Sequence, residues 1–152
     1  MKPILAIALF CLFANGEKRY AKTFFSNGKI KEEGWLTTTT KTDYWYTYFE
    51  NGKVKEEGSY ANGLKNKYWK FYNQNGTKNK EGRYDNGLPE AWWLYYENGK
   101  LTAKVCFENG KKNGLALFYQ NGTLSRAEKY EADKKTGEWT DYESFKKDNA
   151  PN

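Results

Sequence analysis

Asn-Gly is the feature that most restricts what this chain can fold into. The dipeptide occurs at 15, 27, 51, 62, 75, 86, 98, 109, 113 and 121 and takes up ten of the fourteen glycines. With Asn113-Gly114 set aside, and with Thr38-Thr39 and Ala132-Asp133 standing for two eroded copies, the series runs 15, 27, 38, 51, 62, 75, 86, 98, 109, 121, 132. Its steps alternate between 12 or 13 and 11 residues, a repeat of 23 to 24. Such a step is too short for a helix plus a connection. Asn-Gly between apolar runs is a hairpin signal, because both residues accept the positive φ of a type I′ turn.

Each step therefore predicts one strand and one turn. Counting from Arg19 to Tyr142 predicts an all-β repeat protein, a single elongated, twisted antiparallel meander of about eleven strands. At about 4.8 Å per strand the sheet is roughly 50 Å long. The turns are expected to be tight on one edge, as in "YENGKL" (96–101). They are expected to be wider and rich in lysine on the other, as in "NGLKNK", "NGKKNG" and "ADKKTG", lining basic charge along one rim.

Aligned on the repeat, Lys22, Trp45, Trp69, Trp93, Ala116 and Trp139 form one column, and Phe25, Tyr48, Tyr72, Tyr96, Tyr119 and Tyr142 another. Gly34, Gly58 and Gly82 remove a side chain where a neighbouring ring can lie across the backbone. Pairing around Asn98-Gly99 puts Trp92, Leu94 and Tyr96 with Leu101, Ala103, Val105 and Phe107 on an apolar face. Trp93 and Tyr95 then fall with Thr102, Lys104 and Cys106 on a mixed one. The copies ending at Asn51 and Asn75 carry an extra residue, which predicts bulges near Tyr48 and Tyr72.

Residues 1–16 read as a secretory signal peptide: one lysine, then a ten-residue apolar run from Ile4, with Ala14 and Gly16 spaced for cleavage. That implies export to the periplasm or cell surface. The alternative is a cytoplasmic chain in which this run is a buried first strand, since "FANG" (13–16) matches "YANG" (60–63). Residues 17–143 form the repeat domain and 144–152 a polar tail.

Composition narrows function. The 152 residues include 28 aromatic side chains, no histidine and a net charge of +6. The absence of histidine removes the commonest general base and metal ligand. The pairs Glu32-Glu33 and Glu56-Glu57 point to opposite faces of a strand, so they partner cross-strand lysines instead of converging on one substrate. Cys106 reads as a packing residue, and Asn75 and Asn121, formal glycosylation sequons, read as turns. The expectation is a protein with no enzymatic activity, no cofactor and no metal. Basic and aromatic residues are interleaved as on a single-strand nucleic-acid platform. Sheet packing alone produces the same period, so nucleic acid is not expected as the partner.

The units "YWKFYNQNGTKNKEGRYDNG" (68–87) and "AWWLYYENGKLTAKVCFENG" (91–110) resemble the variant form of the MORN repeat (membrane occupation and recognition nexus), across about residues 13 to 142. The resemblance implies a binding or scaffolding module without catalytic residues. It also implies, as alternatives, an antitoxin-like partner of a toxin. "WKFYNQNG" is similar as well to choline-binding repeats of bacterial wall proteins, where rings cage a quaternary ammonium.

The resulting expectation is a protein- or envelope-binding module, its partner a protein or an anionic membrane component. It presents an aromatic face, with Trp45, Trp69 and Trp93 as contacts and Phe71 and Tyr95 beside them. The competing expectation is that these rings fill the inside of a curled sheet.

Overall fold

The computed structural model describes residues 17–149. The signal-peptide and first-strand readings of residues 1–16 lie outside them. Eleven strands follow one another: β1 (Lys18–Phe24), β2 (Ile30–Thr37), β3 (Thr40–Tyr48), β4 (Val54–Ala61), β5 (Leu64–Tyr72), β6 (Lys78–Asp85), β7 (Leu88–Glu97), β8 (Lys100–Glu108), β9 (Lys111–Gln120), β10 (Thr123–Glu131) and β11 (Lys134–Trp139). They form one open antiparallel sheet in sequence order, the meander that the Asn-Gly spacing predicts.

The turn in "YENGKL" is tight as expected, with Asn98 and Gly99 both at positive φ between β7 and β8, and Asn121-Gly122 on the same edge is like it. The lysine-rich edge departs from the expectation: its turns at 62–63, 86–87, 109–110 and 132–133 also have two residues, both at positive φ, and are equally tight. Each is tied to the preceding hairpin: Gly63 N–H donates to Lys41 O at 3.0 Å and Gly87 N–H to Lys65 O at 2.8 Å. On the opposite edge the turns at Asn51 and Asn75 are the wider ones. There Phe49 N–H donates to Lys53 O and Gly52 N–H to Phe49 O, both at 2.8 Å, around a glycine at φ +86°. The extra residue of those copies is absorbed by the turn.

Bulges do fall at Tyr48 and Tyr72, but for another reason. The register also slips at Thr23/Phe24, Tyr95/Tyr96 and Leu124/Arg126, so every hairpin of this edge has one. Near the other edge, Asp43-Tyr44 on β3 and Lys67-Tyr68 on β5 are inserted against β2 and β4. Asp43, Lys67 and Ala91 take φ of 53°, 62° and 57° there, and Gly114, of the Asn-Gly pair that fell outside the series, takes the same place at 89°.

These bulges overturn the face assignment around Asn98. Thr102 is skipped in the pairing, so Tyr95 lies opposite Ala103 and Trp93 opposite Val105, while Leu94 pairs with Lys104 and Trp92 with Cys106. A slip of one residue moves every side chain beyond it to the other face. The first column also needs correction: Ala21, not Lys22, pairs with Gly34 and occupies the tryptophan position in β1.

The segment read as a polar tail contains a helix, α1 (Tyr142–Asn149). Asp141 caps it, accepting from Ser144 N–H at 2.8 Å. Phe145 meets Trp139 edge-on at 5.3 Å.

Candidate functional site

One face of the sheet is built around Trp45, Trp69 and Trp93. Each indole lies flat across a glycine of the preceding strand: a Cβ placed on Gly34, Gly58 or Gly82 would sit 2.3 Å from the ring. The indole N–H groups are satisfied locally. Trp45 Nε1 donates to Trp35 O at 2.8 Å, Trp69 Nε1 to Ser59 O at 2.9 Å and Trp93 Nε1 to Arg83 O at 3.1 Å.

Tyr60, Tyr84 and Phe107 stand edge-on between and beyond the indoles. The row runs Trp45, Tyr60, Trp69, Tyr84, Trp93, Phe107 with centroid distances of 6.3, 5.0, 6.2, 4.9 and 6.2 Å. Lys41 and Lys65 lie over Trp45 and Trp69 at 4.2 and 4.1 Å and are held there by Glu32 and Glu56.

A single layer thereby buries its tryptophans. They retain 3%, 1% and 2% of their surface, because same-face rings and the lysine side chains lying over them cover them without a second sheet. By area, burying each ring contributes roughly 4–6 kcal/mol. Phe71 is half-buried between Trp69 and Trp93, at 6.1 and 6.0 Å, and Tyr95 is half-buried opposite Ala103. The three tryptophans proposed from sequence as contacts are therefore core residues, and the sheet accomplishes this while remaining open. Lys65 and Lys112 of the lysine-rich loops also turn inward onto rings, leaving Lys67, Lys111 and Lys134 exposed along the edge.

Where the repeat departs from its pattern, the packing changes with it. Ala116 takes the tryptophan position of β9, and Glu128, paired opposite it, takes the glycine position. Glu128 is buried and accepts from Tyr130 Oη at 2.7 Å, with Arg126 Nε at 3.2 Å and Lys135 Nζ at 3.6 Å.

The opposite face carries a different periodic unit. Glu33, Glu57 and Glu81 accept from Tyr48, Tyr72 and Tyr96 at 2.6, 2.6 and 2.5 Å, and pair with Lys22, Lys70 and Lys78. The Tyr48 hydroxyl holds the Glu33 carboxyl below the usual range. Burial pushes Glu81 up, but Tyr96 and Lys78 outweigh it and the net shift is downward. Burial raises all three tyrosines, assisted by the carboxylates they donate to. Thus Glu32 and Glu33, and likewise Glu56 and Glu57, serve opposite faces as expected from strand alternation.

On this tyrosine face, each residue that precedes a buried tryptophan is exposed: Tyr44 at 38%, Tyr68 at 47% and Trp92 at 41%. They recur every 24 residues and stand two strands apart, about 9.6 Å along the sheet. Tyr20 and Trp35, also exposed, extend the row with an edge-on contact at 5.2 Å. Sequence reasoning passed over this column, although the alternation that points Trp69 inward sends Tyr68 to the other face. At the far end α1 already covers the same face, over an apolar cleft of about 400 Å³ lined by Leu115, Leu117, Leu124, Trp139, Tyr142 and Phe145. Cys106 is half-buried, and burial with Glu90 and Glu108 nearby raises its thiol, keeping it protonated.

The MORN repeat variant model matches the chain at residues 20–34, 44–62 and 94–109. These stretches, about a third of the chain, are similar to MORN-variant repeats. No curated protein matches the chain.

Proposed function

We propose that the chain is a non-enzymatic binding module that holds a protein partner on its tyrosine face, through Tyr44, Tyr68 and Trp92 and the Tyr20–Trp35 pair. The observation that carries this reading is the contrast between the two faces. The fold buries one ring per repeat to 3% or less and leaves the adjacent ring of the same repeat more than a third exposed, in line with its copies. Packing accounts for the first set. It accounts for the second only in part, with Tyr44 donating to Glu57 at 3.2 Å and meeting Tyr46 at 5.2 Å, and a periodic row of exposed aromatic surface on a folded chain marks an interaction site.

Tyrosine and tryptophan are also the side chains that contribute most at protein interfaces, since they cover area at low entropic cost. The glutamates and lysines between the rings are suited to a polar rim.

Replacing Tyr44, Tyr68 and Trp92 together by serine tests the proposal. The expected result is loss of partner capture from the native source with the unfolding midpoint nearly unchanged. Capture that survives the triple substitution would sink it.

A further inference from the structure

We propose that the outer edge of β1 accepts an acidic extended peptide as a twelfth strand. This goes beyond the face-mediated reading and uses the backbone edge of β1 instead of the ring face.

Among the described residues, β1 is hydrogen-bonded on one side only, to β2. Its sequence, KRYAKTF, has three basic residues and no acidic one. The edge lysines do not guard it, as they often do on exposed edges. Lys18 and Lys22 instead reach inward across the sheet to Asp43 and Glu33. At the opposite edge β11 leads into α1, which packs on its Trp139.

The interior of the sheet shows what such a strand expects on its second side. β5, which has the same role as β1 two repeats later, is flanked by β4, with "KEEGSY" (55–60), and β6, with "NKEGRY" (79–84). Its Lys70 lies opposite Glu57 on β4 and opposite Glu81 on β6. Its Trp69 lies opposite Gly58, with Gly82 on the other side. In β1 the corresponding residues are Lys22 and Ala21, facing Glu33 and Gly34 on β2.

A docked strand that repeats the template would set a carboxylate opposite Lys22 on the open side and a small residue opposite Ala21. Two copies of β1 cannot supply this, because pairing KRYAKTF with itself sets basic residues against basic residues. Residues 4–13 of this chain hold no acidic residue and do not match the template either, so the occupant is an acidic segment of a partner, bound through main-chain hydrogen bonds with side-chain alternation giving specificity.

The chain contains a ready probe. The capped peptide VKEEGSYA, residues 54–61, already pairs in this manner inside the sheet. Titrating it into the full-length protein while following backbone amide resonances is expected to shift residues 18–24 saturably. N-methylation of alternate peptide residues is expected to abolish binding in one parity and spare it in the other, since a docked strand bonds through one edge.

Changing the second glutamate of the peptide to lysine should weaken binding roughly two- to five-fold. Lys22→Glu in the protein should restore the preference for that variant. Tyr68→Ser, which cripples the tyrosine face, should leave peptide binding unchanged. Absence of binding, shifts centred on Tyr44, Tyr68 and Trp92, or equal tolerance of both N-methyl parities would each overturn the proposal.

Discussion

Gly58 and Trp69 form one packing unit divided between two strands: the indole occupies the space a Cβ on Gly58 would need, with 2.3 Å between that position and Cδ2. The ring can lie flat only because its neighbour has no side chain, and its N–H is then in reach of the next carbonyl, Ser59 O. Gly58→Ala is expected to force the ring off the sheet and break that bond. Overpacking and an orphaned indole together should cost about 3 kcal/mol or more. Urea unfolding checks this, and Gly58→Ala with Trp69→Ala should be clearly less than additive.

Ala91 sits at φ +57° in the column that Gly114 occupies at +89°. An L-residue with a Cβ is disfavoured in that region by roughly 1–2 kcal/mol, partly offset by the greater freedom of glycine in the unfolded chain. Ala91→Gly should therefore stabilise by about 1 kcal/mol, visible as a higher denaturation midpoint at unchanged slope. Gly114→Ala should do the opposite.

Stability should fall in strong alkali. Burial, with Glu57, raises Tyr44 to about 12, and burial with Glu56 and Glu32 raises Tyr60 to about 12. Folded tyrosines thus keep protons that unfolded ones lose near 10, so this stabilisation is complete below pH 10 and is lost between about 10 and 12. Glu33 and Glu81 act in the other direction. Their carboxyls are held below 4.5, so their contribution is present above that value and lost as the pH falls through the folded values. Urea midpoints against pH should show a plateau bounded on both sides, with tyrosinate absorbance at the alkaline end rising together with unfolding.

α1 meets Trp139 twice: the Phe145 ring lies edge-on to the indole, and Asp148 accepts the indole N–H at 2.8 Å. Replacing Phe145 and Asp148 together by alanine should release the helix while leaving the sheet intact, because each strand depends chiefly on its immediate neighbours in a one-dimensional array. Hydrogen exchange is expected to accelerate in 142–149 and near Trp139, with β5 to β7 unchanged. Equal acceleration throughout would show the helix to be integral to the fold.

Much of this molecule is legible in its sequence. Asn62-Gly63 and its copies announce their turns by chemistry alone, and Gly34, Gly58 and Gly82 announce the rings that cross them by their place in the repeat. The faces are harder to read. Thr102 carries no mark of being skipped in the pairing, yet that skip puts Trp93 with Val105 and not with Cys106. Burial of the rings is hidden for a different reason: a one-layer sheet gives Trp69 no second layer to pack against. Tyr60, Tyr84 and Lys65, close in space and distant in sequence, supply its cover instead.

By itself the sequence determined the number of strands, their order and their antiparallel sense, because each turn is a local event written in two or three residues. Only the tertiary structure decided which side chains are core and which are surface. In a strand that distinction has a period of two, and a single unpaired residue, placed by contacts with the neighbouring strand, reverses it.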